Sequence, residues 1–388
     1  MRLRRRPSDG MQVAINLLTD NPASPSGAHW FWTRVIPEMA KRMTDGERFH
    51  LLVSPRSRDM HQGYGHNVDH ITFPWSNERR SLRTLSEHAY APLRLPRSGI
   101  DVFSTLMAPA VKAAPGLVAH FKTLHAYTTP DAIRLPVRVY RRLSYPHTAR
   151  VADAIIINSE SLRHEVLEHL DVDPAKLRLI PEAVDHELFR PGDTDEAWQR
   201  VRDHGVTGPF VLFVSSLWPY KNCEGLLRAF AAARRELGGR QLVVVGPGRD
   251  GEYATELRAL TEQLGIAADV VWAGGVPLED TVHFYRAADV FVYPSFNETF
   301  GLPILEAMAT GCPVVTSSVS AMPETAGGAA LLADPSDPDA IAQAIIDACG
   351  PSGDALRTKG WARASEFSWA RTAERTLDVY REVHRRAA

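Results

Sequence analysis

Hydrophobic residues along the chain fall into two kinds of stretch. Short unbroken apolar or β-branched runs end in Gly, Pro, Asn or Asp, and longer stretches repeat apolar positions every three or four residues. The first kind predicts strands and the second predicts helices. In order, 12–17 reads as strand, 30–43 as helix and 49–53 as strand. Val102-Phe103 and the run 117–124, ending in His125, are further strands, followed by strand 154–158 and helix 161–170. After 177–181 the polar stretch 185–193 predicts a linker. The pattern then restarts with strand 210–214, helix 222–237 and strands 241–245, 270–272, 288–293 and 314–316. Repeated alternation of this kind implies parallel sheets covered by helices, in two domains, 11–190 and 191–369. Ligands of such sheets bind at the carboxyl ends of the strands.

One stretch adds chemistry to this outline. Residues 297–315 read NETFGLPILEAMATGCPVV, with strand 288–293 before them. Gly301 gives the loop backbone freedom, Pro303 suits a first helical turn, and Gly311 ends the helix. Glu298 then lies on the loop and Glu306 inside the helix, with the N–H groups of Phe300, Gly301 and Leu302 between them. A helix start attracts an anion such as phosphate, which a carboxylate repels. Each glutamate therefore suits a neutral hydrogen-bond donor such as a sugar hydroxyl. Spacing alone leaves two surface glutamates equally admissible.

Composition changes the picture little. The chain has 388 residues, 44% hydrophobic and 23% charged, enough for two domains. A formal net charge of −2 argues against nucleic acid as the main partner. Cys223, Cys312 and Cys349 stand singly, which points to a reducing, cytoplasmic setting without a structural metal. No apolar run is long enough to span a bilayer, and the basic start is followed by Pro7-Ser8-Asp9-Gly10 instead of an apolar signal core. Residues 1–10 read as a disordered extension.

Other motifs are weighed against plainer readings. Gly246-Pro247-Gly248-Arg249-Asp250-Gly251 matches the dinucleotide fingerprint, which makes an NAD-dependent dehydrogenase the rival reading. The strand at 270–272 ends in Ala273-Gly274-Gly275, without the acidic residue that would hold a ribose. Ser215 to Asn222 offers hydroxyls and the Lys221 ammonium at a strand end, suited to phosphate or simply solvated. Gly27, with Ser26 and Ala28, follows the first strand where a ligand could approach the backbone. Asp171-Val172-Asp173 resembles a metal-binding D-x-D but reads as a solvated turn before Pro174.

Together these residues resemble the family 4 retaining glycosyltransferases of GT-B fold, two Rossmann-like doubly wound domains facing across a cleft. The similarity runs from Met11 nearly to the end. It is carried by the E-x-F-G-x-x-x-x-E pattern from Glu298 to Glu306, by 215–222, similar to G-x-L-x-P-x-K-N, and by Met322-Pro323-Glu324 and Phe367-Ser368-Trp369. The resemblance implies that Glu306 binds the nucleotide ribose and Glu298 the donor sugar. It places Lys221, Ser216 and the N–H groups of Phe300, Gly301 and Leu302 on the diphosphate, Gly27 near the phosphates, and His125 near the reacting carbon. A last helix, within 370–388, returns to the first domain.

Departures are Ser216 where many members have Arg, Ala126 after the histidine where Asp is common, and Ser-Gly-Ala for Gly-Gly. The implied reaction is metal-independent and cofactor-free, with the nucleotide sugar, UDP-linked as the commonest choice, as substrate and a hydroxyl as acceptor. A small soluble acceptor is expected, the first domain being similar to members that glycosylate aminocyclitols in antibiotic pathways. Alternatives are a lipid-linked or cell-envelope saccharide acceptor, a sugar-nucleotide epimerase, and a carbohydrate-binding protein without turnover. Arg79, Arg80, Arg83, Arg134, Arg138, Arg141 and Arg142 suit peripheral contact with a membrane or an anionic acceptor, and read as solvated helix faces in the absence of an apolar docking face.

Overall fold

The structure is a computed structural model that describes residues 10–20, 27–74, 85–106, 112–248 and 251–387. The extension expected at 1–10 therefore lies outside the described residues, Gly10 excepted. The chain divides into two compact units, one of Met1–Glu182 with Trp369–Ala388 and one of Ala183–Ser368. Residues 183–190 go with the second unit, because Val184 and Phe189 are buried in its core.

In the first unit the strands are β1 (Gln12–Asn16), β2 (Arg48–Val53), β3 (Val68–Thr72), β4 (Val102–Leu106), β5 (Gly116–His120), β6 (Ala154–Ile157) and β7 (Leu177–Leu179). They form one sheet in the order β3-β2-β1-β4-β5-β6-β7, each neighbouring pair parallel. Both faces are covered. Val13, Ile15, Leu51, Val102 and Ile156 point into one apolar cluster, while Ala14, Leu52, Phe103, Ile155 and Ile157 point into the other. Burial on both sides is why these strands read as continuous apolar runs. At the edge, β3 carries Asp69 and His70 within Val68–Thr72, so it lacks such a run and was not anticipated. The last helix, Trp369–Ala387, belongs to this unit: Ala373, Leu377, Tyr380 and Val383 share one apolar cluster with Phe31 and Trp32, and the Tyr380 hydroxyl lies 2.7 Å from Ser104 Oγ.

The second unit has β8 (Phe210–Val214), β9 (Gln241–Val245), β10 (Val270–Gly274), β11 (Val290–Tyr293), β12 (Val314–Ser317) and β13 (Leu331–Ala333). Their order is β10-β9-β8-β11-β12-β13, again wholly parallel. The chain runs outward from the central strand in one direction, then returns to run outward in the other. That reversal leaves a crevice at the carboxyl ends of β8 and β11, where doubly wound sheets bind ligands. Past the expected linker an unanticipated helix, Thr194–Arg202, begins, capped by the Asp193 carboxylate, which accepts from the N–H groups of Asp195 and Glu196 at 2.8 and 3.2 Å.

Two expectations change. The run 117–124 is not strand throughout, since β5 stops at His120 and His125 opens the short helix His125–Thr128. His125 thus sits five residues beyond the strand, its N–H donating to Thr123 Oγ1 at 3.0 Å. The Gly-Pro-Gly stretch also has a local explanation. Gly246 has φ +146, and a Cβ there would meet the Ser215 carbonyl oxygen at 2.0 Å. The glycine lets the loop after β9 lie against the loop after β8, a packing requirement rather than a dinucleotide one.

Candidate functional site

The switch point of the second sheet gathers three polar side chains into one network. The loop after β8 ends in the short helix Pro219–Lys221, which brings Lys221 beside the end of β11. Lys221 Nζ donates to the Tyr293 hydroxyl at 2.9 Å and to Glu298 Oε1, and the Tyr293 hydroxyl donates to the same Glu298 oxygen at 2.7 Å. Burial works against the ammonium, but the facing Tyr293 oxygen and Glu298 carboxylate outweigh it and hold its pKa above the usual lysine value. Lys221 is therefore a cation at every working pH. Tyr293, the last residue of β11, is fully buried, and burial first and the Glu298 charge second push its phenol upward, so it stays a neutral donor.

Glu298 is fixed by its backbone. Its N–H donates to Ser320 Oγ at 3.1 Å, the same hydroxyl lies 2.6 Å from its carbonyl oxygen, and the Ala321 N–H donates to that carbonyl at 3.2 Å. Ser320 has φ +58, a strained conformation for a residue with a Cβ. Gly301 then turns the chain with φ +86 into the helix Leu302–Thr310, where Pro303 occupies the first turn and Gly311 caps the end with φ +82. Phe300 anchors the turn, buried against Phe367 with its carbonyl bonded by the Thr325 hydroxyl. The first N–H groups of this helix lie between the two glutamates along the chain.

Glu306 lies on that helix, and Tyr285 donates to its Oε2 at 3.1 Å. Burial raises the Glu306 carboxyl to about 7, against the lowering effect of the Tyr285 hydrogen bond. The carboxylate is thus short of donors, a state that ligand hydroxyls would relieve.

Asn222 holds the arrangement together. It is buried in the left-handed region at φ 59, its Oδ1 accepts from the Gly225 N–H at 3.1 Å, and its Nδ2 donates to the carbonyls of Pro294 and Pro335 at 3.0 and 2.7 Å. One side chain thereby caps the helix Cys223–Ala233 and ties the loops after β8, β11 and β13 together. Asn222→Ala is expected to cost about 2 kcal/mol, from the lost cap and two carbonyls left unbonded. Comparing urea midpoints of the variant and the parent chain measures it, and an unchanged midpoint contradicts the assignment.

Of the residues named from sequence, Lys221 and Glu298 touch each other, Ser216 lies on the loop after β8, and Phe300, Gly301, Leu302 and Glu306 follow β11. Gly27 and His125 belong to the first unit. Gly27 opens the helix Gly27–Ala40, and a Cβ there would meet nothing within 4 Å. Tyr293, Tyr285, Asn222 and Ser320 were missed. Tyr293 stands in an apolar run that reads simply as strand, and no local sequence signal gives a phenol's hydrogen bonds.

The first unit holds a second polar cluster, at the end of β1. Asp20 Oδ2 lies 3.1 Å from His29 Nδ1 and 2.8 Å from His61 Nε2, and Tyr64 Oη lies 3.2 Å from His61 Nδ1. Among the described residues this is the one group whose ligand atoms are spaced for a metal ion. Donation by both rings to Asp20, and by Tyr64 to His61, satisfies the same contacts through hydrogen bonds alone. The Asp-x-Asp turn has a structural task instead, as Asp173 accepts from the Ala175 N–H at 2.9 Å and caps the turn Pro174–Lys176.

Two Rossmann-like parallel sheets, with a lysine, two glutamates and a helix start at one switch point, define a GT-B fold. The family model described as Glycosyltransferase Family 4 matches residues 26–188, and that described as Glycosyl transferases group 1 matches 194–351. The chain belongs to the family 4 glycosyltransferases. It is similar to the D-inositol 3-phosphate glycosyltransferase of Acidothermus cellulolyticus, 36% identical over 60% of this chain and 54% of the relative. It is also similar to the O-antigen chain mannosyltransferase B of Escherichia coli, 38% identical over 44% of this chain and 45% of the relative. The chain spans about half the length of these curated relatives. Among solved structures, sucrose-phosphate synthase of Thermosynechococcus elongatus superposes with a TM-score of 0.74 at 20% identity, covering 96% of this chain and 99% of that one. Anabaena Alr3699/HepE in complex with UDP and glucose superposes with a TM-score of 0.70 at 20% identity, covering 96% and 100%.

Proposed function

We propose that the protein is a retaining glycosyltransferase that moves a sugar from a nucleoside diphosphate, UDP for preference, to a hydroxyl of a small acceptor. The observation that carries this reading is the Lys221–Glu298–Tyr293 network beside the start of the helix Leu302–Thr310. An ammonium and free N–H groups suit the departing diphosphate, and electrostatic stabilisation of that charge is the main catalytic contribution open to such a site. Glu298 suits the donor sugar's hydroxyls and Glu306 the ribose, with Ser216, Phe300, Gly301 and Leu302 lining the phosphates through backbone or hydroxyl groups. Gly27 and His125 would contribute from the first unit, Gly27 to the phosphates and His125 near the reacting carbon. Residues 21–26, which precede Gly27, lie outside the described residues, as do Arg249 and Asp250.

UDP is supported by the UDP and glucose bound to a structural neighbour. A cyclitol acceptor is supported by relatives named for D-inositol 3-phosphate, and an aminocyclitol of an antibiotic pathway is one member of that chemical class. No metal and no cofactor beyond the donor is invoked. A second reading, a lipid-linked or cell-envelope saccharide as acceptor, is favoured by the O-antigen mannosyltransferase among the relatives.

Incubation with UDP-, GDP- and ADP-sugars, with and without inositol phosphate and aminocyclitols, tests the proposal. The expected result is slow hydrolysis of one donor alone and faster consumption with an acceptor, the product keeping the donor's anomeric configuration by NMR. Inverted product would remove retention. Absence of both a thermal shift and turnover with every donor would remove the function.

A further inference from the structure

The helix Leu135–Val151 carries large apolar side chains at four-residue intervals on its exposed side. Leu135 is 59% exposed, Val139 48% and Leu143 74%. Residues so spaced lie along one face, so the three form a continuous stripe. The later turns of the helix are anchored by Tyr145, Thr148 and Ala149, all buried in the first unit. The helix is therefore anchored through its C-terminal half, and none of residues 135–144, which carry the stripe, is buried. Apolar patches of this kind on an otherwise polar surface mark an interaction site.

Charge identifies the partner. From Arg134 to Ala152 the sequence holds Arg134, Arg138, Arg141, Arg142 and Arg150 and no acidic residue. Arg134, Arg142 and Arg150 are exposed, flanking the stripe. The adjoining segment continues the pattern: His88 Nε2 lies 2.9 Å from the Tyr140 hydroxyl, and the next helix, Ala91–Arg94, presents exposed Leu93 and Arg94.

We infer that this face docks on an anionic lipid bilayer, with Leu135, Val139 and Leu143 entering the headgroup and acyl boundary and the arginines resting on lipid phosphates. A bilayer supplies an apolar phase and a sheet of negative charge in one plane, which is what the two rows of side chains require. A nucleic acid would satisfy the arginines and leave the leucines in water. A second copy of the helix would bring arginines against arginines. The arginines alone read as solvated helix faces in the sequence, and the stripe beside them supplies the apolar docking face that reading lacked.

The test is co-sedimentation of the full chain with vesicles of phosphatidylcholine alone and with about one-third phosphatidylglycerol. Binding to the anionic vesicles only is expected, and is lost at about 1 M salt, where the screening length is about 3 Å. Leu143→Asp should lower the partition coefficient at least about tenfold, and Arg150→Gln about fivefold, with unchanged thermal midpoints because both side chains are exposed. Equal binding of parent and Leu143→Asp, or failure of the parent to bind anionic vesicles, overturns the inference. So does concentration-dependent dimerisation that Leu143→Asp abolishes, which would make the occupant a second copy.

Discussion

Lys221→Ala is expected to lower turnover at least about a hundredfold while the protein stays folded. Removing one preorganised donor from a developing oxyanion commonly costs about 2.7 to 4 kcal/mol of barrier. Lys221 stands to lose that much because it is the cation fixed at this switch point by two partners, Tyr293 and Glu298. Ser216 stands where the family resemblance implies arginine in many members, which would leave more of the diphosphate's charge to Lys221. Folding should survive, because the Tyr293 hydroxyl still donates to Glu298 in the variant. The loss should fall more heavily on kcat than on KM, since the diphosphate is already charged when bound and its charge grows as the sugar leaves. Its raised pKa keeps Lys221 protonated, so the parent's rate should not decline through lysine titration below pH 10. Near-normal kcat in Lys221→Ala removes the residue from the reaction.

Glu306→Gln should separate stability from binding. The carboxyl titrates at about 7 in the folded chain against an ordinary value of 4.5. An acid whose folded pKa is raised destabilises the fold when ionised, so the penalty is absent below pH 4.5, grows up to about pH 7 and is constant above. The amide avoids it. The variant should match the parent's stability at pH 4 and exceed it by about 3 kcal/mol at pH 8, the linkage value of the shift. Nucleotide affinity should move the other way, falling at least about tenfold at pH 8 as a charge-assisted acceptor for the ribose is lost. Parallel denaturation and calorimetric titrations at the two pH values measure both effects. A variant that is less stable at pH 8 would show that the carboxylate supports the fold and does not wait for a ligand.

Much of this architecture is legible from the chain. Strands buried on both faces announce themselves as apolar runs, so β1, β8, β9, β11 and β12 sit within a residue or two of where the sequence puts them. Edges are less legible: β3 mixes Asp69 and His70 into its five residues because one side meets no neighbouring strand. Helix ends set by side-chain caps, such as Asp193 before Thr194–Arg202, depend on one residue and are easily passed over. At the site, Lys221 and Glu298 are visible as types in a pattern, but their contact closes over 77 positions and no spacing encodes it. The residues that position them are hidden for the same reason. Asn222 looks like part of a turn, and its work depends on carbonyls at 294 and 335 that become neighbours only in the folded sheet. Ser320 likewise reads as an ordinary loop serine until its hydroxyl is found between the N–H and carbonyl of Glu298.

The most direct test of the central claim, that Lys221 and the helix start receive a nucleotide's diphosphate, is calorimetric titration of UDP and GDP, each against its nucleoside, into the parent chain and Lys221→Ala. The expected result is that the diphosphate tightens binding by at least about a hundredfold in the parent, and that the variant loses about tenfold or more of that gain, the worth of one charge-assisted contact. The same gain in both proteins, or no binding of either nucleotide, would contradict it.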